Sequence, residues 1–408
     1  MRIISNVDRE RAEKLIAMNR AFKTLRERQK VNLKFYHEIK ELAKEVREKR
    51  ERCVGNQKLF EKVVENLRGR GFNVYVASDS EDAISKVLEV VGDEKLVVKS
   101  KSNVTKEIGL REELEKRGVA VVETDIGDRL LQILDESPSH PTGPAVHLSV
   151  KSIAEQLSKH YGVEIPPDAE KIVEFLRRDI EKSVEEAKIG ITGANAVTAE
   201  GSVVILHNEG NVFEVLSRPE KWIVVTGIEK VYESVEDAVK AAKLQSFYAT
   251  GEILPAFIEI VSGVARTADI EKKLIKVGKP KEVTVILLDN GRSEIANTEF
   301  RETLYCLGCG NCVANCPAHS VYGEKFSGGR FALLDAFMGE KEALKLCLSC
   351  GKCKKNCPMK IDIPGMIRRA RDGNELYNFL FSHLRWMNER LRLEILKIVL
   401  EFEGRKKD

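Results

Sequence analysis

Apolar residues near the N-terminus recur at helical spacing. Leu15, Met18, Phe22 and Leu25 share one face of a strongly charged stretch, Val7 to Arg52, that no Gly or Pro interrupts. This predicts one or two long amphipathic helices, whose apolar face most simply packs on their own domain. Beyond Cys53 the pattern changes. Short β-branched runs, "FNVYVA" (Phe72 to Ala77), "KLVVKS" (Lys95 to Ser100) and "VAVVET" (Val119 to Thr124), alternate with helical stretches from Ser80 to Val91 and from Thr105 to Lys116. Such alternation predicts a mainly parallel α/β sheet.

The segment Pro138 to Gly143 is a turn-rich loop, and Val150 to Lys182 is helical again with a break at Pro166 and Pro167. A second β-rich half holds "KIGITGANAVTAEGSVVILHNEGNVF", "WIVVTGI" (Trp222 to Ile228) and "VTVILLD" (Val283 to Asp289), with a helix from Val235 to Leu244. No G-x-G-x-x-G follows any of these strands, which weighs against a bound dinucleotide. Past Asn290 strand signals cease and cysteine, glycine and helical segments take over, placing a boundary near Gly291 to Asn297. The tail from Asn374 to Phe402 reads as a helix with an apolar stripe that includes Phe379, Leu384, Met387 and Leu391. The expected units are a helical segment 1–52, an α/β domain 53–292, a helical cysteine-rich domain 293–373 and a C-terminal helix 374–408.

A chain of 408 residues exceeds one ordinary hydrophobic core, in keeping with that division. Its 67 basic and 64 acidic residues nearly cancel and are spread along the chain, so nucleic acid is not an expected partner. Met1 to Arg11 is polar and offers no signal-peptide core, and nowhere do about 18 apolar residues run together. The expectation is a soluble, cytoplasmic protein with no membrane span.

Eight of the nine cysteines fall between Cys306 and Cys357, which in a reducing compartment points to metal rather than disulfides. "CLGCGNCVANCP" supplies Cys306, Cys309, Cys312 and Cys316 followed by Pro317, and "CLSCGKCKKNCP" supplies Cys347, Cys350, Cys353 and Cys357 followed by Pro358. This is C-x₂-C-x₂-C-x₃-C-P, twice. Three cysteines at three-residue intervals wrap backbone around one Fe₄S₄ cube, each thiolate taking one iron, and in two-cluster ferredoxins the fourth cysteine ligates the other cluster. One cluster is therefore expected on Cys306, Cys309, Cys312 and Cys357, and the second on Cys347, Cys350, Cys353 and Cys316. Structural zinc favours two separated C-x₂₋₄-C pairs and fits this spacing poorly. Gly308, Gly310 and Gly351 suit the crowding of backbone around a cluster, and the helical pattern of Arg330 to Leu346 predicts an all-helical ferredoxin domain. Cys53 stands apart in "RERCVGN" and reads as an inert core residue.

Several blocks together resemble the lactate-utilisation protein B family of iron–sulfur proteins, which join a LUD domain to a helical two-cluster ferredoxin domain. They are "VVKSKSNVTKEIGL" (Val97 to Leu110), "VVETDIGDRLLQI" (Val121 to Ile133), "PSHPTGPAVH" (Pro138 to His147), "GITGANAVTAEGSVV" (Gly190 to Val204), "RTADIE" (Arg266 to Glu271) and "LLDNGRSEI" (Leu287 to Ile295), followed by the cysteine motifs. The resemblance covers most of the chain, though the C-terminal region is shorter than the family's. It implies an α/β LUD fold similar to the ribose-phosphate isomerase and CoA-transferase group. It also implies a place as electron-transfer subunit in a complex that oxidises L-lactate to pyruvate, alongside a cysteine-rich-domain protein, a second LUD protein or a flavoprotein. No flavin or nicotinamide motif supplies a hydride acceptor here, so catalysis by the chain alone is not expected. Two other readings stay open: a LUD module that binds a small organic acid or senses redox state, and a relay feeding a heterodisulfide-reductase-like complex.

Candidate ligand positions lie where predicted strands give way to helices. Ser100, Ser102, Asn103 and Thr105 open a helix after a strand, where an anion or carboxylate is held well, although ordinary Ser and Thr capping fits the same residues. Asn195 in "TGAN", Glu200 and Arg266 are the remaining candidates, with surface pairing to Asp269 the plainer role for Arg266. His140 and His147 border the Pro-rich loop, where turn hydrogen bonding fits better than metal ligation.

Overall fold

The fold is that of a computed structural model, which describes residues 6–273, 275–337 and 341–371; the predicted tail helix lies outside them. Among the described residues there are twelve strands: β1 Asn73–Ala77, β2 Leu96–Lys99, β3 Ala120–Glu123, β4 Ile189–Thr192, β5 Ala196–Thr198, β6 Val203–His207, β7 Lys221–Gly227, β8 Val231–Tyr232, β9 Phe257–Val261, β10 Arg266–Thr267, β11 Ile275–Lys276 and β12 Glu282–Leu288. Six of them form a parallel sheet in the order β1-β12-β7-β4-β2-β3. β4, β7 and β12 are buried along almost their whole length, which is why their sequences run apolar instead of alternating. Trp222 of β7 is among the most deeply buried side chains, and its indole N–H donates to Thr192 Oγ1 at 2.9 Å, so the large apolar ring enters the core without orphaning its donor.

A smaller sheet runs β8-β5-β6-β9, with β6 antiparallel to both neighbours, and β10 pairs with β11 as a hairpin. The N-terminal stretch forms two helices, Asn6–Asn32 and Ile39–Cys53. Met18 and Phe22 are buried against Ala314 of the cysteine region, while Ile39, Ala43 and Val46 join the core that surrounds the cysteines. The long stretch Val150 to Lys182 divides as its prolines require, into Val150–Tyr161 and Ala169–Glu186. The predicted helix Thr105 to Lys116 is instead two short ones, Asn103–Glu107 and Leu110–Lys116, because Gly109 between them takes a left-handed φ of +62°. Beyond β12 the described residues contain only short helices and turns, among them Arg301–Tyr305, Asn311–Ala314, Gly329–Phe337, Lys352–Asn356 and Ile363–Ala370. Among the described residues no helix is long and apolar enough to cross a membrane.

Candidate iron–sulfur centre and adjoining cavity

The two cysteine motifs fold alike. A turn of 3-10 helix, Arg301–Tyr305 or Lys341–Leu346, delivers the first cysteine, and the residue two places on donates its N–H back to that sulfur. The distances are 3.3 Å from Gly308 to Cys306 Sγ and 3.4 Å from Ser349 to Cys347 Sγ. Both donors sit in left-handed backbone, Gly308 at +80° and Ser349 at +49°. The motifs are tied together by Asn311, a buried side chain whose Nδ2 donates to the Asn356 carbonyl at 2.7 Å.

Thiols of the two motifs lie close to one another: Cys353 of the second feels Cys312 and Cys316 of the first as well as Cys347 and Cys350. Burial pushes the Cys309 thiol well up, and its cysteine neighbours Cys306, Cys312 and Cys357 reinforce the shift. Burial likewise lifts Cys316 to about 12, with Cys347 and Cys350 rather than its own motif as the cysteines felt most. Cys357 is pushed up to about 11, first by burial and then by Cys306. Cys316, Cys347, Cys350 and Cys353 line one small cavity together with Phe326 and Ile367. Between the motifs, a Cβ on Gly329 would stand 2.5 Å from Cys312 Sγ, so only glycine lets this backbone lie against the sulfur. No three His, Cys, Asp or Glu side chains among the described residues converge on a single ion. In a cubane each thiolate takes a different iron, so its four sulfurs stand apart. Crowded, buried thiols of raised pKa become thiolates when metal cations supply the opposing charge. The donor set thus fits iron–sulfur clusters.

A second, far larger cavity of about 890 Å³ adjoins the first motif. It opens at the carboxyl ends of the parallel strands, where open α/β sheets place their ligands. Lys101, Asn103, Asp125, Asn195, Lys230 and Gln245 are on its wall; Phe22 of the first helix and Gly308 of the first motif close it. Three ion pairs join the ends of β2 and β3: Lys99 to Glu123 at 2.9 Å, Lys101 to Asp125 at 2.5 Å and Lys106 to Asp128 at 2.6 Å. At the end of β7, Glu229 is buried and held down at about 2: burial opposes its charge, but Arg292, 2.6 Å away, outweighs it. Burial draws the neighbouring Lys230 down to about 8, and its Nζ donates to the Cys306 carbonyl at 2.9 Å.

His140 couples the Pro-rich loop to the first motif. Its Nδ1 accepts the N–H groups of Thr142 and Gly143 at 3.3 and 3.2 Å, which leaves Nε2–H to donate to the Gly310 carbonyl at 3.1 Å. Burial lowers its pKa to about 4, so the ring stays neutral and serves as a strut. His147 Nδ1 bonds Ser139 Oγ at 2.9 Å.

Of the residues singled out in the sequence, Ser102, Asn103, His140, Asn195 and Gly308 line the large cavity. Ser102 also caps its short helix, accepting the Thr105 N–H at 3.3 Å, and Thr105 Oγ1 returns a bond to the Ser102 carbonyl, so capping accounts for both hydroxyls. Asn195 bridges Gln245 and the Leu206 N–H. The other candidates are placed away from the cavity wall. Ser100 is buried beside β4, Glu200 accepts the Val235 N–H at the start of the Val235–Thr250 helix, and Arg266 is exposed on β10 with its guanidinium toward the Arg70 carbonyl. Asp269 bonds Thr267 instead of Arg266. Lys101, Lys230, Gln245 and Arg292 went unremarked in the sequence: the first two and Arg292 follow strands, whereas Gln245 lies inside the Val235–Thr250 helix and reaches the cavity only through the fold.

Comparison with known proteins accords with this geometry. The LUD domain family model matches residues 60–288, and a 4Fe-4S dicluster domain model matches residues 302–361. Lactate utilization protein B of Bacillus subtilis is 35% identical over 286 residues, covering 68% of this chain and 58% of that protein. The Bacillus cytotoxicus protein of that name is 34% identical over 67% of this chain and 58% of its own. The Oceanobacillus iheyensis protein is 34% identical over 68% and 59%. The matched region thus spans less than two thirds of each relative. A solved DUF162-family protein from Deinococcus radiodurans aligns over 56% of this chain and 98% of its own at 14% identity, with a TM-score of 0.32. With a LUD domain model covering more than half its length and an iron–sulfur domain model behind it, the chain belongs to the LUD domain family and is an iron–sulfur member of it, similar to lactate utilization protein B.

Proposed function

We propose that this chain is the iron–sulfur electron-transfer subunit of a cytoplasmic complex that oxidises L-lactate to pyruvate, organised as a helical segment 1–52, an α/β domain 53–292 and a ferredoxin domain 293–373. The observation that carries this reading is the small cavity in which Cys316 of the first motif meets Cys347, Cys350 and Cys353 of the second. It supports crossed ligation of two [4Fe–4S] clusters, the other set being Cys306, Cys309, Cys312 and Cys357. When bound, such clusters accept and release electrons one at a time, matching a two-electron oxidation to single-electron carriers. The protein's own residues bury Cys309, Cys312, Cys347, Cys353 and Cys357 and leave Cys306, Cys316 and Cys350 partly covered, aim N–H groups at Cys306 and Cys347, and set the first motif against the large cavity.

That cavity, with Lys101, Lys230 and Asn103 on its wall, suits a small organic acid, held where the first cluster is the nearest electron acceptor. Partner subunits of the cysteine-rich, LUD or flavoprotein kinds would supply the hydride acceptor, for which this sequence shows no flavin or nicotinamide motif. The test is anaerobic: L-lactate is added to the purified chain, alone and with its partner subunits, while the visible absorbance of the clusters is followed. Bleaching is expected only with the partners present. Lactate turnover by a complex whose copy of this chain carries Cys309→Ser and Cys350→Ser would overturn the relay. The cavity also supports a second reading, a small-acid-binding module whose clusters are structural; it predicts pyruvate or lactate binding with no electron transfer in any mixture.

A further inference from the structure

Each motif opens with a side-chain cation bonded to the main-chain carbonyl of its first cysteine. In the second motif the cation comes from the cysteine region itself: Arg371 donates to the Cys347 carbonyl and, at 2.8 and 3.1 Å, to the Leu344 carbonyl. In the first motif the cations come from outside it. Lys230, just past β7, donates to the Cys306 carbonyl at 2.9 Å, and Arg50 of the Ile39–Cys53 helix donates to the Leu304 carbonyl at 2.5 Å. Arg50 is completely buried. Its Nε and Nη1 meet no hydrogen-bond partner among the described residues, and its guanidinium lies 5.0 Å over the Tyr232 ring.

The carboxylates nearby do not cancel this charge. Glu229 is 4.0 Å from Lys230 but is already engaged by Arg292 at 2.6 Å, and Arg292 also holds Glu107. A third cation, Arg330, donates from Nε to the Thr303 carbonyl at 2.8 Å. Arg50, Lys230 and Arg330 thus each reach a carbonyl of Cys306 or of the backbone leading into it, while the carboxylates Glu107 and Glu229 are held by Arg292, and Glu302, on that backbone itself, by Arg47. Reducing a cluster adds one negative charge to it, and in a buried setting of low effective dielectric a nearby fixed cation stabilises the reduced form.

We infer that Lys230 and Arg50 are positioning residues that raise the reduction potential of the cluster on Cys306, Cys309, Cys312 and Cys357, so that the α/β domain and the N-terminal helices contribute to the potential of the cluster beside the large cavity. This rests on the two-cluster reading above. It assigns Lys230 a purpose that its place on the cavity wall alone does not, and it gives the buried Arg50 a role other than packing.

The experiment is an anaerobic redox titration of the full chain, followed by EPR. A Cys316→Ser/Cys350→Ser background, which keeps only the first cluster under crossed ligation, assigns the signal. Lys230→Gln keeps a hydrogen-bond donor and removes the charge; it is expected to shift the reduction equilibrium toward the oxidised form on the order of tenfold. Lys230→Arg restores it. Arg371→Gln, in the complementary Cys309→Ser/Cys357→Ser background, shifts only the other cluster. Arg50→Gln is an independent probe expected to act in the same direction as Lys230→Gln. A first-cluster equilibrium that Lys230→Gln or Arg50→Gln leaves unmoved in a folded, iron-loaded chain overturns the inference. Failure of the two-cluster reading would show earlier and differently, as a wild-type chain lacking two reducible centres.

Discussion

Gly310 and Gly351 hold equivalent places in the two motifs, and the structure predicts very different costs for adding one methyl group at each. Both take left-handed backbone, at φ +72° and +78°, so alanine costs about 1–2 kcal/mol at either position from backbone sterics alone. At Gly351 a Cβ meets nothing within 4 Å, whereas at Gly310 it would lie 2.4 Å from His140 Cε1, 2.6 Å from Nε2 and 3.0 Å from Pro141 Cγ. The ring cannot swing clear, because both its nitrogens are hydrogen bonded and its face packs 5.2 Å from Phe22. Overpacking of this kind adds about 1–3 kcal/mol, so Gly310→Ala should be the less stable variant by that margin. Urea unfolding of the anaerobic, iron-loaded proteins, followed by far-UV circular dichroism, measures the difference, and iron retention in mild urea reads the same contact at the motif itself. Equal midpoints for the two variants would refute the claim that His140 braces the first motif.

Crossed ligation predicts that Cys316→Ser/Cys350→Ser keeps one cluster while Cys316→Ser/Cys309→Ser keeps none; iron analysis giving the reverse pattern would show that each motif holds its own cluster. Lys99→Met should cost about 3–5 kcal/mol by leaving Glu123, whose pKa burial already raises, without its partner, and Lys99→Met/Glu123→Leu should recover most of that in thermal or urea unfolding. His140 titrates near 4 when folded against an ordinary value of about 6.5, so the unfolded chain binds the extra proton between those values. Its contribution, on the order of 3 kcal/mol, is therefore present above pH 6.5 and lost as pH falls toward 4; His140→Gln should flatten that part of the stability profile.

The parallel sheet was legible because short β-branched runs alternate with helical stretches, and β1, β2, β3, β7 and β12 lie within a residue or two of the runs read from the sequence. The helix Ser80–Val91 matches to the residue, because Asp79 caps it and Gly92 ends it. The helices Ile126–Leu134 and Asn211–Ser217 were missed, the second only a few residues long and preceded by Gly210 rather than a polar cap. The cysteine spacing carried its chemistry openly, since ligand geometry is written in local sequence. The large cavity did not. Its wall is assembled from strand ends, the first helix, the His140 loop and Gly308, which only the fold brings together, and half-buried polar residues such as Lys230 and Gln245 look in sequence like any solvated helix or strand end. Ser100, Glu200 and Arg266 show the converse: each sits at a strand or helix boundary as required, yet faces the core, a helix start or solvent.

The most direct test of the central claim is to count iron and acid-labile sulfide in the anaerobically purified chain and to record the EPR spectrum after dithionite reduction. About eight of each per chain, with signals broadened by spin coupling between neighbouring centres, is the predicted result. Zinc in place of iron, or about four irons with a single uncoupled signal, would contradict it.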